Sequence, residues 1–166
     1  MSSPALTAGA LAVSLAIAGA NLWQWHKAGK DPKNLAHFGG GFALGGLATV
    51  CTGLLGVLAG WSVAAGNGVG KHAVSGATGN TAQALNRGTA GTLTSGGAVI
   101  TFLLLIGFII AWRAASKTVR RRLLGGFFCG ATLVVTVGMA GLFVHVVNLV
   151  NGMGNPVLSW FNGGAA

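Results

Sequence analysis

The chain has 166 residues, of which 52% are hydrophobic and only 7% are charged. A soluble domain carries about 25% charged residues, so this composition excludes an ordinary soluble globular protein and predicts a chain embedded in lipid. The formal net charge is +9, and Asp31 is the only acidic residue. Catalytic carboxylate pairs and acidic metal sites are therefore excluded, and we expect a protein that is not an enzyme.

The first half predicts an antiparallel pair of transmembrane helices, over residues 4–25 and 36–63. A hydrocarbon core of about 30 Å needs about 20 apolar helical residues, and both stretches reach that length. Pro32 breaks any continuous helix in the basic loop 26–34 that joins them. This cytoplasmic loop carries Lys27, Lys30 and Lys33.

The second half predicts another antiparallel pair, over 97–112 and 123–150. Residues 66–96 are rich in Gly, Thr, Ser and Asn, too polar to cross a membrane, and predict an external loop. The two apolar helices flank a short basic loop, 113–122. This loop carries Arg113, Lys117, Arg120, Arg121 and Arg122.

The distribution of Lys and Arg predicts the orientation of these four spans. Eight of the ten cations lie in the two basic loops, and only Lys71 and Arg87 fall on the other side. Basic loops stay in the cytoplasm, so the sequence predicts an all-α, four-span protein of the bacterial cytoplasmic membrane with both termini outside.

Glycines predict where the helices pack. Small residues at steps of three or four allow helix backbones to approach closely in a membrane, and they recur in the second and fourth predicted helices, which we therefore expect to pack together. The glycines predicted to pack are Gly41, Gly45, Gly53, Gly56, Gly60, Gly126, Gly130 and Gly138.

Histidines raise two further hypotheses. His145 and Asn148 lie near the outer end of the fourth predicted helix, where a polar stripe is typical of an outer vestibule or of a helix end among headgroups. A haem between His37 and His145 is excluded, because helical rise separates them by roughly 25–30 Å. His26 with His37, and His72 with His145, leave a haem or metal protein as an alternative, although we expect no cofactor and no metal.

The basic loop 113–122 is the main candidate for binding. Anionic lipid headgroups are the simplest partner for unpaired cations. A cytoplasmic DNA-translocating ATPase, or the phosphates of DNA itself, is the alternative. The loop contains no aromatic residue, which argues against stacking on single-stranded bases.

Three stretches carry a resemblance to a known family. They are Trp23-Gln-Trp25-His-Lys27-Ala-Gly-Lys30-Asp-Pro-Lys33, the glycine-rich helix from Gly39 to Gly60, and the hairpin from Ala98 to Val150. Together they resemble the small integral membrane spread proteins of actinobacterial conjugative elements. The resemblance implies an oligomeric, non-enzymatic subunit that helps move plasmid DNA beside a translocating ATPase. The hairpin alone also resembles a conjugative pilin subunit, and a phage holin is a further alternative.

Overall fold

The computed structural model describes residues 5–163, which form six α-helices and confirm the predicted all-helical class. Residue 4, the predicted start of the first helix, lies outside the described residues. The helices are α1 (Ala8–Lys27), α2 (Pro32–Ala48), α3 (Leu54–Thr78), α4 (Ser95–Ala114), α5 (Lys117–Leu133) and α6 (Val137–Phe161).

Two of the four predicted helices are each divided in two. The prediction of one helix over 36–63 is wrong, because α2 ends before residues 49–53 and α3 begins after them. The prediction of one helix over 123–150 is wrong in the same way, since residues 134–136 separate α5 from α6. Hydropathy does not register these breaks, because the flanking residues on both sides are apolar.

A threonine marks each break. The Thr49 hydroxyl donates to the Gly46 carbonyl at 2.7 Å, and the Thr136 hydroxyl donates to the Leu133 carbonyl at 2.7 Å. Such side-chain bonds to the preceding turn compete with the helical backbone pattern. They occur where the chain changes direction at the end of α2 and α5.

The predicted external loop 66–96 is only partly a loop. Helix α3 continues through Thr78 and ends at Gly79, which has φ +71° and so adopts a left-handed conformation that glycine tolerates. The non-helical segment between α3 and α4 is residues 79–94, which we call the connector.

Helices α2 and α5 run parallel to each other in the centre of the fold. A Cβ built on Gly41 would overlap the Leu123 carbonyl, and one on Gly45 would overlap the Phe127 carbonyl. The reciprocal contacts place Gly126 against the carbonyl of Phe38 and Gly130 against that of Phe42. Backbone therefore lies against backbone along this interface, as small-xxx-small pairs permit.

Helix α1 runs antiparallel to α5. Ser14 lies 2.6 Å from the Thr132 hydroxyl near the end of α5, whereas a Cβ on Gly125 would lie 3.4 Å from Ile17 and 3.5 Å from Asn21, further along α1. The bundle thus has a basic end, with the turns at residues 28–31 and 115–116. At its far end, α1 and α4 begin and α2 and α5 terminate.

Helix α3 lies across the far end. It starts directly after α2 terminates there, and it packs on the first turn of α1, with Gly70 against the backbone of Gly9. The connector then leads directly to the start of α1, because the Gln83 carbonyl accepts a hydrogen bond from the Ala8 amide at 2.8 Å. From Gly79 the chain can span only about 14 Å before Gln83, so both ends of α3 lie near the far end.

Helix α6 follows a matching course. Phe143 packs on Gly46 near the end of α2, and Gly154 packs on the backbone of Gly96 in the first turn of α4. The helix therefore crosses from the end of α5, past α2, to the start of α4.

The six helices form two equivalent repeats. Helices α1, α2 and α3 have 20, 17 and 25 residues, and α4, α5 and α6 have the same lengths. Three short motifs recur in the same order: Leu-Thr-x-Gly, Gly-Gly-Phe-x-x-Gly and Asn-Gly-x-Gly. They begin at Leu6, Gly40 and Asn67 in the first repeat and at Leu93, Gly125 and Asn151 in the second.

Matching hydrogen bonds support this equivalence. The Thr7 amide donates to Asn67 Oδ1 at 2.8 Å, and the Thr94 amide donates to Asn151 Oδ1 at 2.9 Å. Each threonine also caps its own helix, by accepting a bond from the amide three residues on. An asparagine on the third helix of each repeat thus fixes the start of the first.

Two of the described helices are long and apolar enough to cross a membrane by length and composition, namely Ser95–Ala114 and Val137–Phe161. Composition therefore identifies two candidate spans among the described helices, fewer than the four expected from the sequence. Helix α1 is rich in alanine and glycine, and α2 and α5 each have only 17 residues.

The glycine contacts predict that a change from glycine to alanine affects stability differently at two positions on α2. Gly45→Ala lowers the free energy of unfolding by about 1–3 kcal/mol, because the new methyl group overlaps a backbone carbonyl that cannot rotate away. Gly40→Ala, whose Cβ meets nothing within 4 Å, leaves stability unchanged or slightly raised. Thermal unfolding of both variants in one detergent measures the difference, and equal losses would contradict the assigned interface.

Candidate functional site: the basic end

The two basic turns lie side by side at one end of the bundle. Arg122 near the start of α5 donates a hydrogen bond to the Asn34 side chain near the start of α2. Because α2 and α5 run parallel, their cationic first turns face the same side. The cations gathered there are Lys27, Lys30, Lys33, Arg113, Lys117, Arg120, Arg121 and Arg122.

The first turn is folded by local interactions. Gly29 and Lys30 have φ +79° and +58°, which reverses the chain after α1. Asp31 then caps α2, since its carboxylate accepts the Lys33 amide at 3.0 Å, and Trp25 Nε1 donates to the Asp31 carbonyl at 2.9 Å. The only acidic residue is thus a helix cap as well as a partial counter-charge among the lysines.

The predicted loops 26–34 and 113–122 are mostly helical, because only residues 28–31 and 115–116 lie outside the helices. Two of the five cations of the segment 113–122 have structural partners. Arg120 donates to the carbonyls of Trp112 and Arg113, at 2.9 and 3.2 Å, and so caps the end of α4. Arg122 is bonded to Asn34 and is partly buried. Arg120 thus secures the end of α4, and Arg122 joins the two turns.

The other three cations of this segment, Arg113 at the end of α4 and Lys117 and Arg121 at the start of α5, are exposed. Within residues 5–163 their side chains make no hydrogen bond and no salt bridge. They therefore remain available to an external anion. Three unpaired cations around one turn can bind phosphate groups, either of lipid headgroups or of a nucleic acid.

The predicted packing glycines separate into two groups. Gly41, Gly45, Gly126 and Gly130 lie in the interface between α2 and α5. A Cβ on Gly56 would overlap the Cys51 carbonyl just before its own helix. The prediction is wrong for Gly53, Gly60 and Gly138, since a Cβ on any of them meets nothing within 4 Å. The predicted stripe of glycines ran across the breaks at residues 49–53 and 134–136. The helix axis changes direction at each break, so glycines on its two sides do not share one face.

The predicted vestibule residues do not converge. His145 and Asn148 are exposed on α6, on the side away from its buried residues Phe143, Val147 and Val150. The polar residue of α6 that does make tertiary contacts is Asn151, bonded to Thr94. The sequence signal that would have found it is the repeated Asn-Gly-x-Gly motif.

Buried polar side chains near the junction of α1 and α5 pair with one another. Ser14 and Thr132 share a hydrogen bond, and Cys129 Sγ donates to the Ser14 carbonyl at 3.3 Å. No group of three or more His, Cys, Asp or Glu side chains that could hold a metal occurs within residues 5–163. One atom there stands out: the buried His37 Nδ1 has no hydrogen-bond partner.

Comparisons of the chain with protein-family models, with curated proteins and with solved structures found no match.

The bond between the two turns predicts a stability effect separate from charge. Arg122→Gln removes the link to Asn34 and lowers the melting temperature by a few degrees, since a hydrogen bond to a charged group contributes about 1.5–3 kcal/mol. The matched control is Arg121→Gln, the neighbouring arginine with no partner in the described structure, which should leave the melting temperature unchanged. Asn34→Ala should repeat the effect of Arg122→Gln, and indifference to all three changes would contradict the link.

Proposed function

We propose that this protein is an integral membrane protein with four spans, α1, α2, α4 and α5, and with its basic end in the cytoplasm. Helix α4 supports this proposal best, because it carries a large aliphatic and aromatic surface that is not covered by any other part of residues 5–163. Its exposed side chains include Phe102, Leu103, Ile109 and Ile110. A surface of this kind is stable in contact with lipid tails rather than water.

Helices α3 and α6 then lie on the outer side of the bilayer. For α6, composition and packing disagree, since its length and hydropathy suffice for a span. We place α6 according to its packing, because both the start of α6 and its residue Gly154 contact the far end of the bundle. The four core helices measure roughly 25–30 Å along their axes, which matches a hydrocarbon core.

The functional proposal is a non-enzymatic subunit for transport or transfer across the cell envelope. The observation that carries it is the pair of parallel three-helix repeats, an arrangement that recurs in membrane transporters. The interface between α2 and α5 is closed by backbone contacts, so no passage runs between these two helices. We propose that the passage forms between several copies of the chain, in an oligomer.

The basic end supplies the cytoplasmic contacts of this proposal. Arg113, Lys117 and Arg121 bind anionic lipid headgroups, and the same cations offer a docking surface to a DNA-translocating ATPase. Spread of conjugative DNA between cells is the role that fits such a subunit, in line with the resemblance seen in the sequence.

Membrane topology gives the first test. In a background with Cys51→Ser and Cys129→Ala, single cysteines at Gly53→Cys and Thr78→Cys flank α3, and Lys117→Cys marks the basic end. A membrane-impermeant maleimide on intact spheroplasts should label both α3 positions, but Lys117→Cys only after permeabilisation. Labelling of Gly53→Cys with protection of Thr78→Cys would mean that α3 spans the membrane, and would overturn this topology.

The second test addresses assembly and transfer together. Native mass spectrometry in a mild detergent should show a defined oligomer, whereas a purely monomeric species would contradict the proposed passage. Neutralising three cations in Arg113→Gln, Lys117→Gln, Arg121→Gln should leave the oligomer intact. In cells that carry a conjugative element encoding this protein, the same variant should lower the frequency of DNA transfer at least tenfold.

The matched control for transfer is Lys71→Gln, which removes an exposed cation from the far end. Its transfer frequency should equal that of the unmodified chain. If the triple variant transfers DNA normally, the basic end has no role in docking, even where the oligomer is present.

A further inference from the structure

The connector is the one long segment between helices without an equivalent inside the other repeat. It crosses the far end and is held by both repeats, because the Leu85 amide donates to the Leu6 carbonyl at 2.7 Å and the Gly88 amide to the Val135 carbonyl at 2.8 Å. Arg87 lies between these two points and pairs its backbone with Thr136. The fold therefore places one arginine over the ends of α2 and α5.

Two small clefts meet at Arg87, and both are also bounded by Thr49 and Val135. The first extends along a weakly polar wall of α3. That wall consists of Gly56, Ala59, Gly60 and Val63. The second runs beneath the connector, along Gly88, Thr89, Ala90 and Gly91. A charged group and a small cleft lined by small residues thus share one opening.

The Arg87 side chain is exposed and makes no hydrogen bond within the described residues. Its charge also lacks an acidic partner there, since Asp31 lies at the opposite end, about 25 Å away along α2. The carbonyls at the end of α2 could oppose an anion. Those of Gly46, Leu47 and Ala48, however, already accept the amides of residues 49–51, which reduces their negative field at the cleft.

We propose that this cleft binds a phosphate ester. The Arg87 guanidinium contacts the phosphate at the opening of the cleft, next to Thr49. Guanidinium groups bind phosphate through two parallel hydrogen bonds. Two sources share this chemistry, an anionic phospholipid and a free phosphate compound, and the experiment separates them.

The test compares the full chain with Arg87→Gln, Arg87→Lys and Lys71→Gln in detergent. Phosphatidylglycerol, phosphatidylcholine and inorganic phosphate are added in parallel, and the melting temperature and the lipid retained in native mass spectrometry are measured. Phosphatidylglycerol should stabilise the full chain and Lys71→Gln equally. Its affinity for Arg87→Gln should fall about tenfold, the loss expected for one charge-assisted contact.

Arg87→Lys keeps the charge without the planar fork, so its affinity should lie between those of the full chain and Arg87→Gln. Stabilisation by inorganic phosphate, also lost in Arg87→Gln, would identify a free phosphate compound as the ligand. A response to phosphatidylglycerol alone would identify lipid. If Arg87→Gln binds phosphatidylglycerol as tightly as Lys71→Gln does, the proposal is wrong, because the remaining binding then belongs to the basic end.

Discussion

The close approach of α2 and α5 is the constraint on which the rest of the structure depends. Four glycines, two on each helix, let the backbone of one helix touch carbonyl groups of the other. Parallel contact over two turns of helix fixes both ends of the pair. It places the two basic turns together and brings the two helix breaks to the same far end, where α3 and α6 cross.

Duplication explains why one interface can organise so much of the chain. Each repeat pairs its first and third helices through a threonine and an asparagine, while the second helices pair with each other. The repeats have also diverged. In α1 the Ser14 hydroxyl bonds Thr132, whereas at the equivalent place in α4 the buried Thr101 donates only to the Gly97 carbonyl of its own helix. The first repeat is thus joined to α5 by a polar contact without an equivalent in the second.

The scarcity of acidic residues determines how the cations are bonded. With one carboxylate in the sequence, cations cannot be neutralised by ion pairs, and the structure instead bonds Arg120 and Arg122 to carbonyl and amide oxygens. The cations left without such partners are exposed, and they include three around the turn between α4 and α5 and one on the connector. Both binding proposals follow from this composition, because a strong anionic partner for these cations has to come from outside the chain.

The sequence alone determined the helical class, the two basic turns and the glycine pairs, because composition, charge and small-residue spacing act locally. The breaks after Ala48 and Leu133 were missed, since a helix that changes direction keeps its apolar composition. The contacts of Asn67 and Asn151 depend on partners about 60 residues away, and the exposure of His145 and Arg87 depends on which way a helix or a loop faces. Only the tertiary structure decided these points, because they follow from where two distant segments meet.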